Sequence, residues 1–183
     1  RAQLVEAACD SIFQYGLADT TISKISRLAG VSTGIISHYF GGKNELLEAT
    51  MRKILSDLGI AVAQKISLAK TPRQKILAII EGNFSADQIS PRSVTSWLAF
   101  WSEAMHVQSL ARLQRVNQRR LRSNLLYWYR QLLAQNAAII AAEGMAALID
   151  GLWLRGAFEA KGLDALQAKN IALDYLDRQL THS

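Results

Sequence analysis

Apolar residues recur at steps of three and four along almost the whole chain, and this spacing constrains the fold more than any other feature. In the first segment Leu4, Ala8 and Ile12 lie one turn apart, so they share one face of a helix. Turn and start signals separate the segments at Gly16, Gly30, Gly41-Gly42, Thr71-Pro72 and Ser90-Pro91. The pattern predicts an all-α protein with nine helices, three short and then six mostly longer.

Composition favours a packed intracellular protein without a metal or cofactor. Half of the residues are hydrophobic and only 20% are charged, which argues against disorder. The single cysteine, Cys9, cannot form an intrachain disulfide, so a reducing cytoplasmic location is expected, with Cys9 a small buried residue of the first helix. The three histidines, His38, His106 and His182, have no metal-ligand spacing, and we predict no metal site and no cofactor.

Charge does not locate a binding site. The net charge of +6 indicates an anionic partner only weakly, since basic and acidic residues nearly balance through Lys53. Most of the excess lies in what we call the arginine segment: Arg112, Arg115, Arg119, Arg120, Arg122 and Arg130. It is either a solvated face, a set of partners for acids on other helices, or a source of long-range field, and the first two interpretations are favoured.

One segment, from Ala137 to Phe158, is apolar enough to raise the question of a membrane span. Glu143, Asp150 and Arg155 divide it into runs that are too short to cross a bilayer. We therefore predict a helix that faces protein on most sides.

Two short helices joined at Gly30 predict a helix-turn-helix. The second helix begins near Ser32 and ends at about Phe40. In a helix-turn-helix it must present small or polar side chains to the DNA major groove. Thr33 and Ser37 are one turn apart, and Gly34 and His38 form an adjoining pair.

Ile36 and Phe40 form a separate pair one turn apart that is expected to face the core with Val31, while periodicity leaves the directions of Ile35 and Tyr39 open. His38 could also be a capping or surface histidine. Spacing alone does not separate a DNA-binding motif from an ordinary helical bundle.

The whole stretch TTISKISRLAGVSTGIISHYFGGKNELL closely resembles the TetR family of bacterial repressors. The resemblance covers roughly residues 1–55. The residues that fit the family pattern are Thr20, Thr21, Ala29, Gly30, Val31, Ser32, Gly34, Tyr39, Phe40, Lys43 and Leu46. One departure is Ser37, where the family usually has a tyrosine, so the phosphate contact made by that phenol is not expected from residue 37.

The resemblance implies a three-helix DNA-binding domain over residues 1–45, with the helix-turn-helix motif at 21–40. It is followed by a six-helix ligand-binding and dimerisation bundle over residues 46–183. It also implies a homodimeric, ligand-responsive transcriptional repressor that binds a palindromic double-stranded operator. Thr21, Lys43 and Tyr39 would contact phosphates, and Thr33, Gly34, Ser37 and His38 would meet the groove.

Aromatic residues cluster in the C-terminal part, most densely in WLAFW, which contains Trp97 and Trp101. Aromatics at helical spacing are usually core residues. However, the segments VSTGIISHYF, GNF, WLAFW, RRLRSNL and ALIDGLWLR together are similar to choline-responsive members of the family, which control glycine-betaine synthesis genes. Choline or betaine aldehyde is then the expected inducer, and another lipophilic or cationic effector is the alternative.

A quaternary ammonium donates no hydrogen bond, so a site for it relies on aromatic faces and a negative charge. The candidate ligand-binding residues are Asn83, Phe84, Trp97, Trp101, Glu103, Tyr127 and Asp150.

In TetR relatives the last two helices pair with their twofold mates into a four-helix dimer core. The resemblance therefore implies a dimer interface that contains Leu148, Leu152, Trp153, Ile171 and Tyr175. It also implies that the long helix from Lys43 to Leu68 carries the ligand-induced shift. A small helical enzyme is the rival class, but we find no nucleophile–base pair, metal ligand set or glycine-rich phosphate loop, and expect no enzyme.

Overall fold

A computed structural model describes residues 1–181, and the predicted all-α fold is confirmed over that range. Nine helices follow one another with no strand among the described residues. They are α1 (Ala2–Tyr15), α2 (Ile22–Ala29), α3 (Thr33–Phe40), α4 (Lys43–Leu68), α5 (Pro72–Asn83), α6 (Pro91–Ala104), α7 (Gln108–Tyr129), α8 (Gln135–Ala157) and α9 (Ala165–Thr181). His182 lies outside the described residues.

Local capping explains why the short N-terminal helices begin and end where they do. Thr21 caps α2, because its hydroxyl accepts a hydrogen bond from the Lys24 backbone N–H at 3.2 Å. Thr20 is instead buried, and its hydroxyl donates to the Gly16 carbonyl at 2.7 Å. Gly30 ends α2 in the left-handed conformation, with φ 66°, which glycine adopts without steric cost.

The helices α5 and α6 start at the predicted threonine–proline and serine–proline pairs. Thr71 forms a capping box with Gln74 at the start of α5. The Ser90 hydroxyl accepts from the Ser93 N–H at the start of α6. The apolar spacing of the next segment predicts a helix from about Ser109 to Leu133, but α7 ends at Tyr129.

The chain divides into two compact units. The first contains residues 1–56 and 90–114, in which α1 packs against α2 and α6, and α2 packs against α3. The second contains residues 57–89 and 115 onward, in which α9 packs against α8 and α5. The predicted domain boundary at residue 45 stays a prediction, because packing units and functional domains are different divisions of a chain.

The core of the first unit supports the short helices. Leu4, Val5, Ala7 and Ala8 of α1 form one buried cluster with Ile25, Ala29, Ile36 and Leu46. Cys9 is buried in α1, as predicted, and burial raises the pKa of its thiol to about 11. Such a thiol stays protonated and unreactive at neutral pH.

Close helix packing in the second unit depends on a glycine. A Cβ atom on Gly144 of α8 would lie 2.0 Å from the hydroxyl oxygen of Tyr175 on α9. Only a residue without a side chain therefore allows Tyr175 to pack against α8 in this position.

The helix α8 is long and apolar enough to cross a membrane when judged by length and composition alone. In its most apolar window, 33% of the residues are buried inside the chain. The prediction that α8 faces protein on most sides therefore requires a second protein chain to cover the rest of its surface.

Candidate operator interface and effector site

The recognition helix α3 presents a continuous small and polar surface. Ile36 is its one fully buried residue, and it anchors the helix in the core of the first unit. Phe40 packs partly against the same core, as predicted. Thr33, Gly34, Ser37 and His38 are all exposed; Gly34 and His38 lie opposite Ile36, and Ser37 and Thr33 continue the exposed surface along one flank of the helix.

The two residues whose directions were open are both exposed. Ile35 and Tyr39 lie outside the core, so they widen the accessible face of α3. The ring of Tyr39 contacts that of His38 edge-on, with 5.1 Å between centroids. The Tyr39 carbonyl accepts a hydrogen bond from the Arg1 guanidinium at 2.8 Å, which ties the end of α3 to the start of α1.

Thr21 and Lys43 begin the helices before and after α3. The Thr21 hydroxyl uses a lone pair in capping α2, so its proton is still available to a phosphate oxygen. Ser32 occupies the N-cap position of α3, as expected, but its side chain makes no cap hydrogen bond.

One basic residue near this surface was missed by the sequence reasoning. The Lys24 ammonium donates to the Asp19 carbonyl at 2.8 Å and lies 4.5 Å from the centroid of the Tyr15 ring. Its signal was a lysine in the first turn of α2, three residues after the Thr21 cap.

The predicted aromatic pair exists in the first unit. We call Trp97 and Trp101 of α6 the tryptophan pair; their ring centroids are 6.3 Å apart and their planes are tilted by 58°. The Trp101 indole N–H is buried and has no hydrogen-bond acceptor within residues 1–181. On α7, a buried side-chain oxygen of Gln114 likewise has no donor among the described residues. Sequence reasoning missed Gln114, because a solitary glutamine carries no pattern.

Neither predicted carboxylate suits a cation held by this pair. Glu103 lies about 160° around α6 from Trp101, since successive residues are about 100° apart. Asp150 lines a groove of about 340 Å³ between α7 and α8, together with Arg115, Arg119 and Arg122. Burial raises the pKa of the Asp150 carboxyl, and the arginines around the groove would repel a cation.

Three further predicted residues have other roles. Phe84 is fully buried in the core, and the side-chain amide of Asn83 donates to the Ile79 carbonyl at 2.8 Å. Tyr127 is 61% exposed, so it does not line an enclosed pocket of its own chain. We therefore leave these three residues out of the effector site.

The predicted dimer residues separate into two groups. Trp153 is buried in its own chain, where its indole N–H donates to the Asn83 carbonyl at 3.1 Å, so its inclusion in an interface was wrong. Tyr175 is half-buried against Gly144. Leu148 and Leu152 are half-buried, and Ile171 is exposed on α9.

An exposed apolar row on α8 lies away from Trp153. We call it the α8 seam; its members recur at steps of three, four and seven, and they are Ile140, Ala147, Gly151, Leu154 and Phe158. The spacing places them on one face of the helix, and Phe158 is 77% exposed. The exposed Glu143 lies on the same face between Ile140 and Ala147, so the unbroken apolar part runs from Ala147 to Phe158. Exposed apolar rows are typical of interfaces between subunits.

Comparison with known proteins identifies the family. Residues 4–50 match the model for bacterial regulatory proteins of the tetR family. Residues 72–181 match the model for the C-terminal part of the BetI-type transcriptional repressor. The chain belongs to the BetI-type repressors of the TetR family.

Full-length relatives agree with this assignment. The chain is 52% identical to the HTH-type transcriptional regulator BetI 1 of Chromohalobacter salexigens, covering 100% of this chain and 91% of that protein. It is 48% identical to BetI of Pectobacterium atrosepticum, covering 100% and 95%. These relatives are transcriptional regulators, so the chain is a DNA-binding repressor and not an enzyme.

Solved structures share the fold. A transcriptional regulator from Pseudomonas aeruginosa PAO1 has a TM-score of 0.86 at 27% identity, covering 98% of this chain and 89% of that one. A transcriptional regulator from Saccharomonospora viridis, solved in complex with choline, has a TM-score of 0.85 at 18% identity, covering 96% and 94%. As a TetR-family regulator, the BetI-type chain binds operator DNA and a small-molecule effector, and it dimerises.

Proposed function

We propose that this BetI-type repressor controls genes for the conversion of choline into glycine betaine and releases its operator when choline binds. The observation that carries the choline assignment is the tryptophan pair, together with a buried indole N–H that lacks an acceptor among residues 1–181. The match of residues 72–181 to the BetI-type C-terminal model supports the same effector class. Acting on chromosomal operators, the protein would work in the cytoplasm.

The chemistry of choline fits the unsatisfied groups of the first unit. Its quaternary ammonium is attracted to the faces of Trp97 and Trp101. Trp101 lies in the last turn of α6, where the negative end of the helix dipole also favours a cation. We further propose that the choline hydroxyl accepts a hydrogen bond from the Trp101 indole N–H and donates one to the Gln114 side-chain oxygen, because these two buried groups of the first unit lack partners among residues 1–181. An aldehyde or a carboxylate only accepts, so this donor–acceptor pair favours choline over betaine aldehyde and glycine betaine.

The operator would be read by two copies of α3. Thr33, Gly34, Ser37 and His38 would meet the major groove, with phosphates contacted by Thr21, Tyr39 and Lys43. A twofold dimer formed along the α8 seam would present the two recognition helices to the half-sites of a palindrome.

Release follows from linkage. The factor by which choline weakens operator binding cannot exceed the ratio of its affinities for the two conformations of the repressor. Choline must bind more tightly to the conformation that fits the operator less well. The helix α4, which contributes residues to both compact units, is a candidate for transmitting that difference.

A gel shift on the region upstream of the protein's own gene tests the proposal. We expect a specific retarded band that weakens steeply with salt and that choline diminishes. Parallel lanes with betaine aldehyde, glycine betaine and a lipophilic cation test the alternative effectors. No band at low salt would contradict the operator assignment, and a band released only by a different compound would replace choline.

Replacing Trp101 by phenylalanine should separate the two parts of choline recognition. The variant keeps an aromatic face but loses the N–H, so choline affinity should fall about fivefold, the typical value of one hydrogen bond. Tetramethylammonium has no hydroxyl and serves as the matched control ligand, with an expected change below about twofold. Isothermal titration calorimetry measures both affinities. Unchanged choline binding in both Trp97→Ala and Trp101→Ala would place the site elsewhere.

A further inference from the structure

The guanidinium of Arg92, at the start of α6, joins that helix to α1. It donates from Nε to Asp10 Oδ1 at 2.6 Å and from Nη2 to Glu6 Oε2 at 2.7 Å. The same Nη2 also donates to the Glu6 backbone carbonyl at 3.0 Å. Glu6 and Asp10 are one turn apart on α1, so the planar guanidinium holds both carboxylates and fixes the orientation of one helix against the other.

Stability of α6 alone does not explain an arginine at this position. Arg92 lies in the first turn of α6, where the positive end of the helix dipole disfavours a cation. The side chains of the cluster are 36% exposed in Arg92 and nearly half exposed in Glu6 and Asp10. Ion pairs that are exposed to this extent contribute little to folding.

Positive charge on two sides favours the ionised form of Glu6. The hydrogen bond from Arg92 lowers the pKa of the Glu6 carboxyl below its usual value. Lys53 of α4 adds a second positive charge, 3.6 Å from Glu6 Oε1. The Glu6 carboxylate is therefore charged at neutral pH and remains an acceptor for Arg92.

The helix α1 leads from this cluster to the DNA-reading surface. Its other side, with Leu4, Val5 and Ala8, belongs to the buried core that also contains Ile36 of the recognition helix. A movement of α1 therefore also moves the core residues against which α3 packs. On α6, Arg92 precedes Trp97 and Trp101 along one continuous helix, so a movement of the tryptophan pair reaches Arg92 directly.

We propose that Arg92 is the coupling residue of this repressor, which transmits effector binding at α6 to α1 and so to the recognition helix. The inference rests on the proposed function, because it takes the tryptophan pair as the effector site. Arg92 touches neither DNA nor effector. Removing its side chain should leave the affinities for operator and for choline nearly unchanged. It should abolish the effect of choline on operator binding.

The test compares Arg92→Met with the wild-type protein. Methionine keeps an unbranched apolar stem and removes the hydrogen-bonding fork. Operator affinity is measured by fluorescence anisotropy with and without saturating choline, and choline affinity by calorimetry. In the wild type we expect choline to weaken operator binding by about tenfold or more, within the usual range of allosteric coupling. In Arg92→Met choline should weaken operator binding by only about twofold or less. Operator affinity without choline and choline affinity without operator should each change by less than about twofold.

A matched control is Arg73→Met. Arg73 donates to Asp177 Oδ1 at 2.6 Å in the second unit, so its replacement removes an ion pair of the same kind and similar exposure. Choline should weaken operator binding by this variant by the same factor as in the wild type. If Arg92→Met does not fold, Glu6→Met combined with Asp10→Leu removes both side-chain acceptors and leaves only the bond to the Glu6 carbonyl, and choline should then weaken operator binding less than in the wild type.

The outcomes separate the two proposals. A wild-type protein that binds its operator but ignores choline overturns the proposed effector and this coupling with it. A wild type that responds, together with an Arg92→Met variant that responds fully, overturns the coupling alone. If choline no longer weakens operator binding in either Arg92→Met or Arg73→Met, the cause is a general weakening of the fold, and the coupling proposal is overturned.

Discussion

Replacing Leu154 by glutamate is expected to convert the dimer into monomers and to remove specific operator binding. Leu154 is 44% exposed and lies in the middle of the α8 seam. In a twofold interface, residues near the axis meet their own copies, so one substitution brings two carboxylates together. An uncompensated buried charge costs about 3–5 kcal/mol, which weakens dimerisation by a factor of 100 or more.

Operator binding should fail with the dimer. Joining two recognition helices raises affinity by about 10²–10⁴ through effective concentration alone, and a monomer loses that gain. Sedimentation equilibrium measures the oligomeric state, and fluorescence anisotropy measures binding to the palindrome. Leu68→Glu, at an exposed leucine that ends α4, is the control and should leave the dimer intact. A dimeric Leu154→Glu protein would place the interface outside the α8 seam.

Replacing Gly34 by glutamine is expected to weaken operator binding by about a hundredfold while leaving folding intact. A Cβ atom at Gly34 would have only the Ser32 hydroxyl oxygen nearby, at 3.9 Å. The free energy of unfolding should therefore change by less than about 0.5 kcal/mol. Between protein and DNA, however, a long side chain at this position would hold α3 away from the base edges, and each lost base contact costs about 1–3 kcal/mol.

Thermal unfolding and operator titration together test this prediction. Ser123→Gln makes a similar small-to-long exchange at an exposed position of α7 and should affect neither quantity. Operator affinity that survives Gly34→Gln would show that α3 docks through a different face.

The sequence predicted the helices and the exposed small polar face of α3 well, because both depend on residues that are close along the chain. A helix begins where a hydroxyl caps it and ends where glycine reverses the backbone, as Thr21 and Gly30 do for α2. The small polar face of α3 follows from spacing within eight residues. Only the directions of Ile35 and Tyr39 were undecided, because α3 is apolar on more than one side.

The effector site and the dimer surface were predicted less well, because they depend on which faces of distant helices meet. Trp153 looks like a surface aromatic in its own segment, yet it hydrogen-bonds to Asn83 in the interior. Asp150 looks like a counter-ion for a cation, yet it lies among arginines of α7. Nothing in the local pattern of α8 distinguishes its inner face from its exposed seam.

By itself, the sequence determined an all-α chain, a helix-turn-helix and a TetR-type repressor, since periodicity, caps and a continuous motif are short-range properties. Tertiary structure alone decided that the Trp101 indole N–H and the Gln114 side-chain oxygen are buried without partners among the described residues. It alone joined Arg92 to Glu6 and Asp10, which precede it by 86 and 82 residues. Such pairings depend on the packing of whole helices, and helix packing is set by many side chains at once rather than by any single spacing.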